Sequence, residues 1–207
     1  MAQYFSVHPD NPQRRLVHQT VDIIRQGGIV VLPTDSSYAI ACHIGDKRAL
    51  DNIRRIRQLS DKHNFTLLCK DLTQISNFTK IGNDAFRLIK SLTPGAFTFI
   101  LNATKEVPKR LQHPKKKTIG IRIPDNIFIQ QVLDALDEPL FSSTLILPDN
   151  NNEAETDPYE IREKLEHELD LIIDFGIIES QETTMISCID NHIEITRQGA
   201  GDAPMLG

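Results

Sequence analysis

Apolar positions along the chain fall into two alternating kinds of period. Leu16, Val17, Val21, Ile23 and Ile24 recur at helical spacing and end at Gly27-Gly28, which predicts a helix closed by glycine. Asp10-Asn11-Pro12 supplies its expected start, with proline near the first turn. Ile29 to Leu32 is a short apolar run of β-branched character and predicts a buried strand. The polar loop Pro33-Thr34-Asp35-Ser36-Ser37 follows it, and Tyr38 to Cys42 predicts a second strand. A helix is expected from about Asp46 to Gln58, with Ala49, Leu50, Ile53 and Ile56 inward and Arg54, Arg55 and Arg57 off that stripe.

The same reading continues to the end of the chain. Strands are expected at Phe65 to Cys69, Phe97 to Leu101, Thr118 to Ile123, Pro139 to Leu147 and Leu171 to Ile173. Short helices are expected from Asp71 and from Asn83 or Asp84, one capped by Asp125, and an acidic one from Asp157-Pro158. Thr184 to Ile189 and Ile193 to Arg197 predict a hairpin about Asp190-Asn191-His192. Helices and strands alternate without strict βαβ order. The expectation is therefore one α/β domain over residues 1–207, a twisted mixed β-sheet with flanking helices.

Composition narrows the class. The 207 residues are 40% hydrophobic and 25% charged, the balance of a globular domain rather than a disordered chain. No apolar run approaches the ~18–20 residues of a membrane span. Met1-Ala2-Gln3-Tyr4 opens no charged-then-apolar leader. Cys42, Cys69 and Cys188 are odd in number and far apart, so neither a disulfide framework nor a zinc ribbon is expected and a reducing, cytoplasmic setting fits.

The net charge of −5 conceals an uneven distribution. Lys105 to Arg122 carries seven bases against one acid, and Lys47 to Lys62 six against two. Asp149 to Asp174 carries ten acids against two bases. Two basic segments could converge on an anionic ligand, with the acidic segment facing elsewhere.

Several catalytic signatures are absent. There is no P-loop, no three-glycine dinucleotide fingerprint, no zinc-binding histidine pair and no G-x-S-x-G nucleophile elbow. What remains is hydroxyls and arginines at predicted strand ends: Thr34, Tyr38, Arg57, Thr66, Arg122, Ser142, Ser143, Thr144, Thr184 and Arg197. Ligands of open α/β sheets bind beyond strand ends, and guanidinium groups suit phosphate or carboxylate.

These segments resemble the YrdC/YciO family. Pro33-Thr34-Asp35-Ser36-Ser37-Tyr38-Ala39 is similar to its P-T-D-T-x-Y-G opening. Thr93-Pro94-Gly95, Ile119-Gly120-Ile121-Arg122-Ile123-Pro124, Ser142-Ser143-Thr144, Thr183-Thr184-Met185-Ile186 and Arg197-Gln198-Gly199-Ala200 continue the register. The resemblance implies a deep basic cavity and chemistry like that of the threonylcarbamoyl-AMP synthases, which use L-threonine, bicarbonate and ATP with Mg2+ in tRNA modification. It implies partners of the same kind: ATP or AMP and a small carboxylate. By carry-over Thr34 and Tyr38 line the amino-acid end, Arg122, Ser143, Thr144 and Arg197 face the nucleotide, Asp35, Thr66 and Ser142 also bind substrate, and Arg57, Arg122 and Thr144 are the catalytic residues. Thr184 would form the floor. The alternative implied by the family is double-stranded RNA or tRNA binding without synthase activity, through a cavity rim of Lys109, Arg110, Lys115, Lys116 and Lys117.

The departures resemble the YciO branch rather than the YrdC branch. A Lys/Arg pair of the synthases falls on Arg57 and Leu59, and a Ser/Asn pair on Thr144 and Ile146. Leu59 and Ile146 keep nothing polar. At ~1.5–3 kcal/mol per hydrogen bond to a charged group, the absence of two such bonds corresponds to about 10²–10⁴ in rate. Weak or modified synthase activity is the expectation.

Overall fold

The computed structural model describes residues 1–60, 63 and 65–206. Asp61 and Lys62, counted above in the first basic segment, lie outside the described residues. Among the described residues eleven strands form one mixed sheet, covered by six α-helices. The strands are β1 (Gln3–Ser6), β2 (Val30–Pro33), β3 (Tyr38–His43), β4 (Thr66–Leu68), β5 (Thr79–Lys80), β6 (Phe97–Ala103), β7 (Thr118–Arg122), β8 (Leu140–Thr144), β9 (Leu171–Asp174), β10 (Thr184–Ile189) and β11 (His192–Arg197). The helices are α1 (Arg14–Arg25), α2 (Lys47–Arg57), α3 (Leu72–Phe78), α4 (Asn83–Leu92), α5 (Ile127–Leu136) and α6 (Pro158–Leu165). The sheet order is β1-β9-β2-β3-β8-β4-β7-β6-β10-β11, with β5 beside β6.

Period-2 alternation divides the core between the two faces. Val30 and Leu32 face α1 and α5, where they meet Leu16, Val21, Ile24, Phe128 and Val132. Ile29 and Val31 face the opposite side, with Leu50 and Ile53 of α2, Ile89 of α4 and Ile161 of α6. Strands buried on both faces read as unbroken apolar runs, which is why β2 was legible and β1 was not.

Among the boundaries that differ from the sequence reading, three have a local reason. The first helix begins at Arg14, because the Asp10 and Asn11 N–H groups donate to His8 Nδ1 at 3.2 and 3.1 Å. Asn126, not Asp125, caps α5: its Oδ1 accepts from the Phe128 and Ile129 N–H groups, while the Asp125 N–H donates to Asp35 at 2.9 Å. The strand expected to reach Leu147 stops at Thr144, since its partner β3 begins at Tyr38 and pairs Ala39 with Thr144. The hairpin turn forms at Asp190-Asn191, both at positive φ (52° and 63°), the arrangement of a type I′ turn.

All three cysteines are free and buried. Among the described residues no helix is long and apolar enough to cross a membrane.

Candidate functional site

A cavity of about 720 Å³ opens against the sheet. Its floor is made of small side chains in mid-sheet: Ala39, Thr66, Thr98, Ser142 and Thr144. Register explains their meeting, since Ala39 pairs with Thr144, Ser142 with Thr66, and Thr66 with Gly120. Gly120 has to be glycine: a Cβ there would lie 2.8 Å from Thr66 Oγ1 and 3.1 Å from the Phe65 carbonyl oxygen. The lining residues sit at strand ends: Thr66 opens β4, Thr144, Arg122 and Arg197 close β8, β7 and β11, and Ala39 and Thr98 lie one residue inside β3 and β6.

Arg122 is the central cation. It is 7% exposed and lines the cavity. Its Nη2 is paired with Asp35, whose other oxygen accepts the Asp125 N–H. Its Nε is buried with no hydrogen-bond partner. Burial lowers its pKa, and the Asp35 carboxylate opposes that shift. A buried guanidinium N–H without an acceptor is costly.

Arg57 closes α2 and reaches the same space. Its Nε donates to Ser143 Oγ at 3.4 Å and its Nη1 to the Ile146 carbonyl. Burial pushes its pKa down to about 10, so it remains charged at neutral pH. The apolar replacements separate here. Ile146 lines the cavity, whereas Leu59 packs against the core and does not. Arg197 also lines the cavity, but its donors are committed. Its Nε and Nη2 donate to the Thr183 carbonyl at 3.2 and 3.0 Å, and its Nη1 pairs with Glu182 at 3.1 Å. Arg197 therefore holds the segment before β10 in place from the cavity wall.

Four residues expected to touch the ligand, Thr34, Asp35, Tyr38 and Thr184, do not line the cavity. Thr34 Oγ1 accepts the Ser36 and Ser37 N–H groups at 3.2 Å each and donates to the Ser37 carbonyl at 2.7 Å. It shapes the turn that brings Ser36 and Ser37 to the cavity wall. Asp35 stands behind Arg122 as its counter-ion. Tyr38 donates to the Gly176 carbonyl at 2.7 Å and accepts the Phe175 N–H. Thr184 donates to the Gly201 carbonyl at 2.6 Å and accepts the Gly199 N–H at 3.0 Å. Each hydroxyl is spent on backbone that frames the site.

The charge expectations also change. Asn150 to Lys164 of the acidic segment does not face elsewhere: Glu153, Glu155 and Glu160 line the cavity. Glu155 is 2% exposed, paired with Lys164 at 2.8 Å, and accepts from Asn150 Nδ2 at 3.3 Å. An antiparallel bridge between Ile146 and Ala154 folds this loop over the sheet. The cavity is thus basic on the sheet side only. None of Lys109, Arg110, Lys115, Lys116 and Lys117 lines it. Arg110 instead donates to the Gly45 carbonyl at 2.8 Å, so the expected basic rim lies away from the site.

Residue-by-residue reading missed Thr98, Glu155, Lys164 and His63. Thr98 had a signal, a hydroxyl between Phe97 and Phe99 in an apolar strand. Its Oγ1 shares a 2.7 Å hydrogen bond with Thr183 Oγ1. The other three had none. His63 lines the cavity, and burial, then Arg57 and Arg54, push its imidazole below the usual 6.5. The unfolded chain therefore binds this proton first, and stability falls as pH drops below 6.5. An anion in the cavity opposes the shift by favouring the charged imidazolium. Calorimetry should show proton uptake on anion binding below about pH 6.5, absent in His63→Gln; equal uptake in both proteins would remove His63 from the site.

Among the described residues no three His, Cys, Asp or Glu side chains come together as a metal set. Mg2+ bound through substrate phosphates needs only one or two carboxylates; Glu155 is committed to Lys164 and Asn150, while Glu153 and Glu160 also line the cavity.

The Sua5/YciO/YrdC family model, described as telomere recombination, matches residues 22–199. YciO of Escherichia coli is 51% identical over 202 residues, 98% of each chain. Its crystal structure matches with a TM-score of 0.94 over 100% of both chains. The threonylcarbamoyl-AMP synthase of Bos taurus is 27% identical over 81% of this chain and 60% of its own length. P. abyssi Sua5 complexed with L-threonine shares the fold, with a TM-score of 0.81 at 19% identity over 89% of this chain and 54% of that one. The family match over most of the chain and the likeness to YciO along its whole length give one conclusion: this chain belongs to the Sua5/YciO/YrdC family.

Proposed function

We propose that the cavity binds ATP and a small carboxylate and transfers the adenylyl group to it, as a weaker or modified relative of the threonylcarbamoyl-AMP synthases. One observation carries the reading: the guanidinium-bearing Arg122 and Arg57 line one polar cavity together with the hydroxyl residues Thr66, Ser142, Ser143 and Thr144. Two guanidinium groups among hydroxyls suit a phosphate or a carboxylate. In the reaction a carboxylate or carbamate oxygen bonds to the α-phosphorus, the α–β phosphoanhydride bond breaks, and pyrophosphate leaves. Arg122 and Arg57 would stabilise charge on the phosphoryl oxygens, with hydroxyls of Thr66, Ser142, Ser143 and Thr144 orienting the substrates. Asp35 holds Arg122 in position, and Arg197 holds the segment that walls the nucleotide side.

Ile146 supports the weaker or modified activity, since it brings an apolar side chain where the synthases carry an amide. Pyrophosphate release with L-threonine, bicarbonate and ATP tests the reading. The expected result is slow release that drops by about 10²–10⁴ in the Arg57→Ala, Arg122→Ala double variant, which removes two guanidinium groups from the phosphates. Release no faster than that of the double variant would overturn it.

A further inference from the structure

Arg57, Arg122 and Arg197 line the cavity, and their counter-ions differ in kind. Arg122 and Asp35 are paired by side chains 8% and 10% exposed, and the second Asp35 oxygen accepts the Asp125 N–H. That pair is fixed, because separating it leaves a buried charge alone. Arg57 has a hydroxyl and a carbonyl, and no carboxylate pairs with it among the described residues. Arg197 is paired with Glu182, which also lines the cavity, through one contact of 3.1 Å at Nη1. The Glu182 side chain is 72% exposed and that of Arg197 36%. A pair so open contributes little, because water solvates the separated charges.

The backbone about Glu182 is anchored without that contact. The Gln181 N–H donates to the Ser36 carbonyl at 2.8 Å, and the Glu182 carbonyl accepts the Ala200 N–H at 2.8 Å. The Thr183 carbonyl accepts Arg197 Nε and Nη2. The Glu182 carboxylate can therefore swing out to solvent while the wall and the Arg197 side chain keep their places. Nη1 of a cavity-lining arginine is then open to another anion. The charge of Arg197 also reaches Arg122, whose pKa it lowers, so an anion beside Arg197 meets the field of both guanidinium groups.

We propose that Glu182 is a displaceable counter-ion: its carboxylate holds Arg197 Nη1 and gives it up to a phosphate group, so that phosphate binding in the cavity costs the Glu182 ion pair. The inference rests on the adenylyl-transfer reading, which brings phosphates to the cavity, and adds the residue that tempers their affinity. Inorganic pyrophosphate is titrated by calorimetry into the native chain, Glu182→Gln and Glu153→Gln at one salt concentration. Glu153 lines the same cavity and has no ion pair among the described residues. Both substitutions remove one negative charge, so a general change of field acts in both, and loss of a counter-ion acts in Glu182→Gln alone. Both positions are exposed, so both variants are expected to fold, which thermal unfolding checks.

The expected result is pyrophosphate bound about two- to fivefold more tightly by Glu182→Gln, the size of one exposed ion pair, with a smaller gain in Glu153→Gln. Unchanged or weaker binding in Glu182→Gln would overturn the inference and leave the adenylyl-transfer reading standing. An equal gain in the two variants would also overturn it, since the contact with Arg197 would then contribute nothing. Failure of pyrophosphate to bind any of the three proteins would overturn both.

Discussion

Arg122→Met is expected to destabilise the protein by about 3–5 kcal/mol, the usual cost of breaking one side of a buried ion pair. For a chain of this size that is a fall of roughly 6–20 °C in Tm, at about 2–4 °C per kcal/mol. The cause is Asp35 more than the lost arginine. Its side chain is 10% exposed, and without Arg122 it keeps only the Asp125 N–H. The double variant Asp35→Asn, Arg122→Met removes the orphaned charge, and thermal unfolding should show it more stable than the single variant. Anion binding should stay lost in both. A double variant as unstable as the single one would show that the pair is not what Arg122 contributes to stability. Restored anion binding in the double variant would show that Arg122 is not the anchor.

Gly199→Ala is the second large effect. A Cβ on residue 199 would lie 2.2 Å from the Glu182 carbonyl oxygen and 2.5 Å from the Thr183 carbonyl carbon. Both are backbone atoms, so no side chain can swing aside. The segment carries the Ala200 N–H bond to the Glu182 carbonyl at 2.8 Å and the Arg197 bonds to the Thr183 carbonyl. Overpacking of this kind costs ~1–3 kcal/mol. The expected shift therefore goes beyond stability: Glu182 and Thr183 move, Arg197 loses its anchor, and the cavity wall opens. Urea unfolding and ATP binding should both weaken. Unchanged values in both would show that the turn absorbs a methyl without moving the wall.

The site was legible in part, and the division follows a physical line. Arg57, Arg122, Ser142, Ser143, Thr144 and Thr66 are legible as hydroxyls and arginines on or beside strands, and all line the cavity. Thr34, Tyr38 and Thr184 have the same chemistry on the same kind of element, yet each serves backbone. A polar group at a strand position needs a partner, but the sequence does not say whether that partner is a ligand or a carbonyl far along the chain. Tyr38 finds Gly176 and Thr184 finds Gly201. No local pattern encodes either meeting.

The acidic segment makes the same point with charge. Its composition was plain, and its direction was not. Glu155 reaches the cavity because Ile146 bridges Ala154 and because Lys164, near the end of α6, comes back to pair with it. A solvated charge run and a cavity wall look alike until the chain has closed.

The amino-acid sequence by itself determined the mixed α/β class, most elements and the family. Those depend on periodicity and short-range capping, which neighbouring residues carry between them. Only the tertiary structure decided which polar groups face the cavity and which tie down its frame. Only it showed that the cavity is positive on the sheet side and negative on the loop side. Those outcomes depend on pairings between residues tens of positions apart, such as Asp35 with Arg122 and Thr66 with Ser142, and a pairing at that range is set by the packing of the whole sheet.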